Sequence, residues 1–251
     1  MLISIIAARE WRVLFASPLA WGVLAMAQGG LAWIFVTLVA DFQALQGQLA
    51  GLDSAPGVTD LVVAPLFQAA AWVLLLLTPL LTMRLFSEER RAHTFELLLS
   101  APVSASAIVL GKYLGVLAFL LLSIALVAAM PLTLALGTTL DQGKLLAGLL
   151  GLCLLIAAIA AAGLYLSLLT RQPALAAVAT FGLLLLLWLA DIAGARSDLA
   201  GRLLGYLAPL RHYEALLRGL FDSADVAYYL LFITLFLGLA VRRLDDLRLR
   251  D

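Results

Sequence analysis

Residues 145–169 read LLAGLLGLCLLIAAIAAAGLYLSLL, a run of apolar and small residues without a single charge. A helix of this length rises about 37 Å, enough to cross the roughly 30 Å of hydrocarbon in a bilayer. Backbone exposed to lipid must satisfy its own hydrogen bonds, and the run lacks the alternation of a barrel strand, so it reads as a spanning helix.

Runs of the same kind lie on both sides. A short turn from Gly137 to Lys144 separates this span from one over roughly 113–136, and the break at Thr170–Pro173 separates it from one over roughly 174–190. Further out lie spans over roughly 19–40, 61–86 and 226–240, the second carrying Pro79, which is expected to bend it. The sequence therefore predicts an all-α polytopic membrane protein with six transmembrane helices. Composition agrees, because a chain of 251 residues that is 64% hydrophobic and 13% charged has too little polar surface to cover a soluble globule. Net charge is zero, which supplies no basic surface for nucleic acid. The sole cysteine, Cys153, lies in an apolar run, so no intrachain disulfide forms and the residue reads as packing.

The segments between spans carry the polar residues. Residues 2–16, LISIIAAREWRVLFA, form a short helix suited to the membrane surface, with Arg9 and Arg12 one turn apart. Arg9, Glu10 and Arg12 sit mid-segment, unlike the basic start and apolar centre of a secretory signal, so the N-terminus is expected to be retained. Pro18 opens the first span, where the first helical turn tolerates proline. Asp41 to Asp60 reads as a polar connection with a turn signal at Ser54–Gly57. After Ser87 comes the most charged segment, read as a helix capped by Ser87, favoured at its N-terminus by Glu88 and Glu89, and stopped at Pro102. On it Phe95, Leu98 and Leu99 form an apolar stripe, with Arg91, Thr94 and Glu96 elsewhere. Such a helix suits the headgroup region or the groove of a partner.

Orientation follows from the basic residues. Placing the N-terminus, the 87–112 loop, the 170–173 turn and the C-terminal tail on one side gathers eleven Lys and Arg residues there, against five on the other. That side is the cytoplasm, which puts both termini inside.

Motifs for chemistry are incomplete. The nearest approach to a phosphate-binding loop is GTTLDQGKL at 137–145, where the second glycine is one place late and the Ser/Thr is a leucine. His93 and His212 are expected on opposite sides of the membrane, so they build no zinc cluster, and there is no Gly-x-Ser-x-Gly. Glu88–His93, EERRAH, partly resembles the E-E-x-x-x-R element of prenyl-processing intramembrane proteases but ends in histidine. No ionisable residue falls mid-span, which disfavours ion-coupled transport. Gln28, Gln68, Thr78, Ser123 and Tyr165 inside the spans read as helix-packing hydrogen-bond formers. The chain is expected not to be an enzyme.

Three separated stretches carry a resemblance: AREWRVLFASPLAW at 8–21, ERRAHTFELLLSAPVSASAIVLGKYLG at 89–115 and LAPLRHYEALLRGLFDSADVAYYLLF at 207–232. In this order they resemble the membrane subunit (permease) of an ABC transporter of the ABC-2 type, in particular its gliding-motility-like and copper-enzyme-maturation-like branch. His93 stands where many of those relatives have glycine. The resemblance implies one transmembrane domain over residues 1–251, with an elbow helix at 2–16 that includes Arg9, Glu10 and Arg12. It implies a coupling helix whose contact with a separate ATPase uses Glu89, Arg91, Thr94, Phe95, Glu96 and Leu99, with Phe95 as anchor. Between spans five and six it implies two short re-entrant helices bearing Leu203, Leu207, Pro209, Leu216 and Leu220.

The implied working unit holds two ATPase copies, with ATP and Mg bound on them, and two permease copies, a homodimer or a pair of related chains, in a bacterial inner membrane. An accessory subunit with a large extracytoplasmic domain is a further implied partner. Export of an amphiphile and relay of force to such a partner both remain open, as does a non-transporting scaffold.

Overall fold

The computed structural model describes residues 2–49, 56–95, 103–194 and 199–249, and among these the regular structure is helical throughout. In chain order the helices are α1 (Leu2–Ala16), α2 (Pro18–Leu49), α3 (Ala64–Thr82), α4 (Arg84–Arg91), α5 (Ala105–Leu134), α6 (Gln142–Leu169), α7 (Pro173–Ala193), α8 (Leu199–Tyr206), α9 (Pro209–Leu217) and α10 (Ser223–Arg248). A π-helical turn, Thr59–Val63, leads directly into α3. Six helical stretches are long and apolar enough to cross a membrane: α2, the π-turn with α3 and α4, α5, α6, α7 and α10.

The central member is α6, with 72% of its most apolar stretch buried, against 17% for α2, α7 and α10. Its sequence explains the position, because small residues let neighbouring backbones come close. A Cβ placed on Gly151 would lie 3.0 Å from the Leu216 side chain, and one on Gly163 would lie 2.9 Å from Thr82 Cβ. The Ala157–Ala162 stretch is buried throughout. Around this hub, tyrosine hydroxyls donate to backbone carbonyls: Tyr113 to Ala157 at 3.1 Å, Tyr213 to Phe67 at 2.8 Å and Tyr229 to Pro209 at 2.6 Å. Gln28 donates to the Ser123 carbonyl at 2.9 Å, joining α2 to α5 as a packing contact.

Several boundaries differ from the sequence reading. The connection expected from Asp41 remains helical to Leu49, since Asp41–Leu49 holds no Pro and its single glycine, Gly47, is isolated, which a helix tolerates. The bend expected at Pro79 becomes a break one turn later at Met83, whose N–H still reaches Pro79 O at 2.9 Å. The third span starts eight residues earlier than expected, at Ala105, because Ser104 caps it by accepting the Ala107 N–H at 3.3 Å. The tail after Ala240 continues α10 to Arg248, with Leu244 buried.

Candidate functional site

Helices α1, α4 and α5 meet at Lys112. The sequence reading placed this residue in a cytoplasmic loop, whereas it lies two turns inside α5 with its side chain 3% exposed. Its ammonium is 2.8 Å from Glu10 Oε1 of α1 and 2.8 Å from Glu89 Oε1 of α4. The Phe86 ring lies beneath it, 5.2 Å to the centroid. One cation thus holds two carboxylates, while Glu89 Oε2 is buried without a hydrogen-bond partner among the described residues. A buried charge is tolerated only when it is paired and hydrogen-bonded, so each member of this cluster depends on the other two.

The flanking glycines explain how α1 comes so near. Gly111 and Gly115 form a Gly-x-x-x-Gly face on α5. A Cβ on Gly111 would sit 2.6 Å from Ile6 Cβ, and one on Gly115 would sit 2.6 Å from Glu10 Cβ and 3.0 Å from the Ala7 carbonyl. Any side chain there would displace α1 and carry Glu10 away from Lys112. Trp11, stacked on Phe15 with centroids 4.5 Å apart, and the edge contact of Phe15 with Phe119 close the same face further along.

Ser167 of α6 seats the start of α4. The break at Met83 leaves first-turn N–H groups without helical partners. The Ser167 hydroxyl accepts from Phe86 N at 3.0 Å and Ser87 N at 3.2 Å, and donates to Met83 O at 3.0 Å. Ser87, expected to cap a helix, is instead buried inside α4 with its hydroxyl donating to the Met83 carbonyl. The correction has a physical cause, since Ser167 already satisfies the donors a cap would serve.

Glu88 and Glu89 accordingly lie near the C-terminal end of a helix, not at its start. That end closes as a Schellman-type turn, in which Thr94 N–H donates to Glu89 O at 3.1 Å and His93 is left-handed with φ 56°. Left-handed backbone favours glycine, so a histidine here carries a conformational cost. Arg90 donates to the Leu168 carbonyl at 3.0 Å, near the C-terminus of α6 where a cation is favoured.

Of the coupling residues read from the sequence, Glu89 is partly buried on Lys112, and Arg91 and Thr94 are exposed. Phe95 is 7% exposed, edge-on to Phe86 with centroids 6.4 Å apart and covered by the Arg90 guanidinium at 4.9 Å. It therefore packs the turn onto its own chain, and Arg91 and Thr94 are the exposed residues beside it. Glu96, Leu99 and Pro102 lie outside the described residues. On α1, Arg9 and Arg12 face outward while Glu10 turns inward. Of the residues assigned to the re-entrant segment, Pro209 and Leu216 are buried against the bundle, and Leu203, Leu207 and Leu220 are exposed. Burial holds the Tyr213 phenol well above its ordinary pKa, so it remains a hydrogen-bond donor.

The family model described as ABC-2 family transporter protein matches residues 5–246, nearly the whole chain. The chain belongs to the ABC-2 transporter family. No curated protein matches it. As an ABC-2 membrane component it is the permease subunit of an ABC transporter, a multi-pass membrane protein that is not itself the catalytic part. Lys112 and Ser167 are the residues of this permease site that sequence reasoning missed. Lys112 left a signal, because a lysine between glycines spaced four apart at the head of an apolar run marks a close helix crossing.

Proposed function

We propose that this permease converts ATP hydrolysis by a separate ATPase into motion of the helix bundle, with the turn after α4 as the point where the motor acts. The observation that carries the reading is the double ion pair at Lys112. Glu89 lies on α4 just before the exposed turn residues Arg91 and Thr94, and its carboxylate is bound through Lys112 to Glu10 on α1 and to the body of α5. Ser167 and the Leu168 carbonyl bind the same short helix to α6, the hub of the fold. A push on the turn therefore reaches four helices through charged or hydrogen-bonded contacts, as a transition between two packings of a bundle requires.

In this reading α1 is the elbow helix, with Arg9 and Arg12 toward the headgroups, and 89–102 is the coupling segment on the cytoplasmic side. Two permease copies join two ATPase copies, which bind ATP and Mg. Nucleotide binding favours one packing over the other, and that differential affinity is the source of the motion. The thinly buried flanks of α2, α7 and α10 are open to lipid or to the second copy. Both termini are cytoplasmic, in a bacterial inner membrane.

The motion serves export of an amphiphile or relay of force to an extracytoplasmic partner. A scaffold without a motor is the alternative from another class. Affinity purification of the tagged chain from its native membrane tests the proposal: an ATPase in stoichiometric yield supports it, an added large subunit favours force relay, and a chain recovered alone contradicts it.

A further inference from the structure

The end of the bundle that carries the α4 turn also opens into a groove of about 1300 Å³ between α3, α4 and α7. Four arginines line it, Arg84, Arg90, Arg91 and Arg171, against one glutamate, Glu88. Among the described residues no carboxylate forms an ion pair with any of the four. Arg171 and Arg243 lie close enough to Arg90 to act on its charge. Like charges gathered around a concave surface, without a carboxylate to pair with among the described residues, are satisfied by an anion, and guanidinium groups match the geometry of a phosphoryl group.

The groove is not polar throughout. Leu80, Val178 and Phe181 give it an apolar wall, and on the far side of Phe181 lies a separate apolar cavity of about 230 Å³ lined also by Trp72 and Trp188. A basic mouth bordered by apolar side chains of α3 and α7 suits an anionic lipid, whose charged head and first methylenes need such a pair of surfaces.

We infer that the α3–α4–α7 groove binds a lipid with a phosphate-type anionic headgroup, the head held by Arg84, Arg90 and Arg171 and the start of an acyl chain lying against Leu80, Val178 and Phe181. Basic pockets between transmembrane helices at the cytoplasmic face take anionic headgroups for the same electrostatic reason. This rests on the orientation and the export form of the function proposed above only for what the lipid is used for. Binding itself needs neither motor nor nucleotide.

The test is native mass spectrometry of the full-length chain in detergent, titrated with phosphatidylglycerol or phosphatidylcholine, without ATPase or ATP. Phosphatidylglycerol is expected to bind at least tenfold more tightly, and R84Q/R171Q to remove most of that preference. Both side chains are exposed, so the variant is expected to keep its gel-filtration profile. The control R9Q/R12Q removes equal charge from α1 and is expected to bind as the unmodified chain does. Equal affinity for the two lipids, or equal losses in both variants, overturns the inference. Displacement of phosphatidylglycerol by millimolar inorganic phosphate would reassign the groove to a free anion and overturn it as a lipid site. Because no hydrolysis is measured, failure here leaves the coupling proposal standing, and failure of coupling leaves this result standing.

Discussion

Glu10 and Glu89, on helices far apart in the sequence, each place a carboxylate oxygen 2.8 Å from the same ammonium, that of Lys112. The surface helix α1 and the short helix α4 are thereby locked to one point on α5. Removing the cation strands two buried carboxylates, whereas neutralising all three groups leaves none.

Lys112→Met alone is expected to destabilise the chain by about 3–5 kcal/mol, the cost of breaking a buried ion pair on one side. E10Q/K112M/E89Q is expected to recover most of that loss. Thermal unfolding of the purified chains in detergent gives the comparison, and a triple variant no more stable than the single one would show that charge pairing is not what holds the three helices.

Gly115→Ala is expected to cost about 1–3 kcal/mol, the range for overpacking a tight contact, because its new Cβ would lie 2.6 Å from Glu10 Cβ. A cysteine placed at Ala7, on the α1 turn facing Gly115, is expected to react faster with a water-soluble maleimide in that variant. Unchanged labelling would mean that α1 does not depend on the glycine face.

His93→Gly is expected to stabilise the α4 turn by up to about 1 kcal/mol, since a left-handed L residue costs roughly 1–2 kcal/mol and glycine returns part of the gain as unfolded-state entropy. His93→Val should act in the opposite direction. A shift of the same sign for both would remove the left-handed backbone as the cause.

Ser167→Ala leaves the Phe86 and Ser87 N–H groups buried without their acceptor, for an expected loss of about 1–3 kcal/mol. Ser167→Thr keeps the hydroxyl and is expected to lose less in the same unfolding measurement. Equal losses would show that the hydroxyl is not what seats α4.

What the sequence revealed follows from where the physics is local. Spanning helices are set by length and apolarity, so α6 and α7 lie close to where the runs of residues predict them. Two short helices, α8 and α9, lie between α7 and α10, as the resemblance implied, and Pro209 opens the second, where the first helical turn tolerates proline. Lys112 was misplaced because hydropathy counts a lysine as an end of a span, whereas its cost is met by Glu10 and Glu89, partners far away in the chain. Ser87 looked like a cap because the break at Met83 and its satisfaction by Ser167 are tertiary facts. The contacts of Phe95 with Phe86 and Arg90 of its own chain were not legible, because they depend on the turn that follows α4.

The most direct test of the coupling account is ATP hydrolysis by the reconstituted permease–ATPase complex in lipid nanodiscs, comparing the unmodified chain with E10Q/K112M/E89Q. The account predicts a complex that still assembles while its hydrolysis falls to the rate of the isolated ATPase, because the turn after α4 no longer pulls on α1 and α5. Hydrolysis at the full stimulated rate in the triple variant would contradict it.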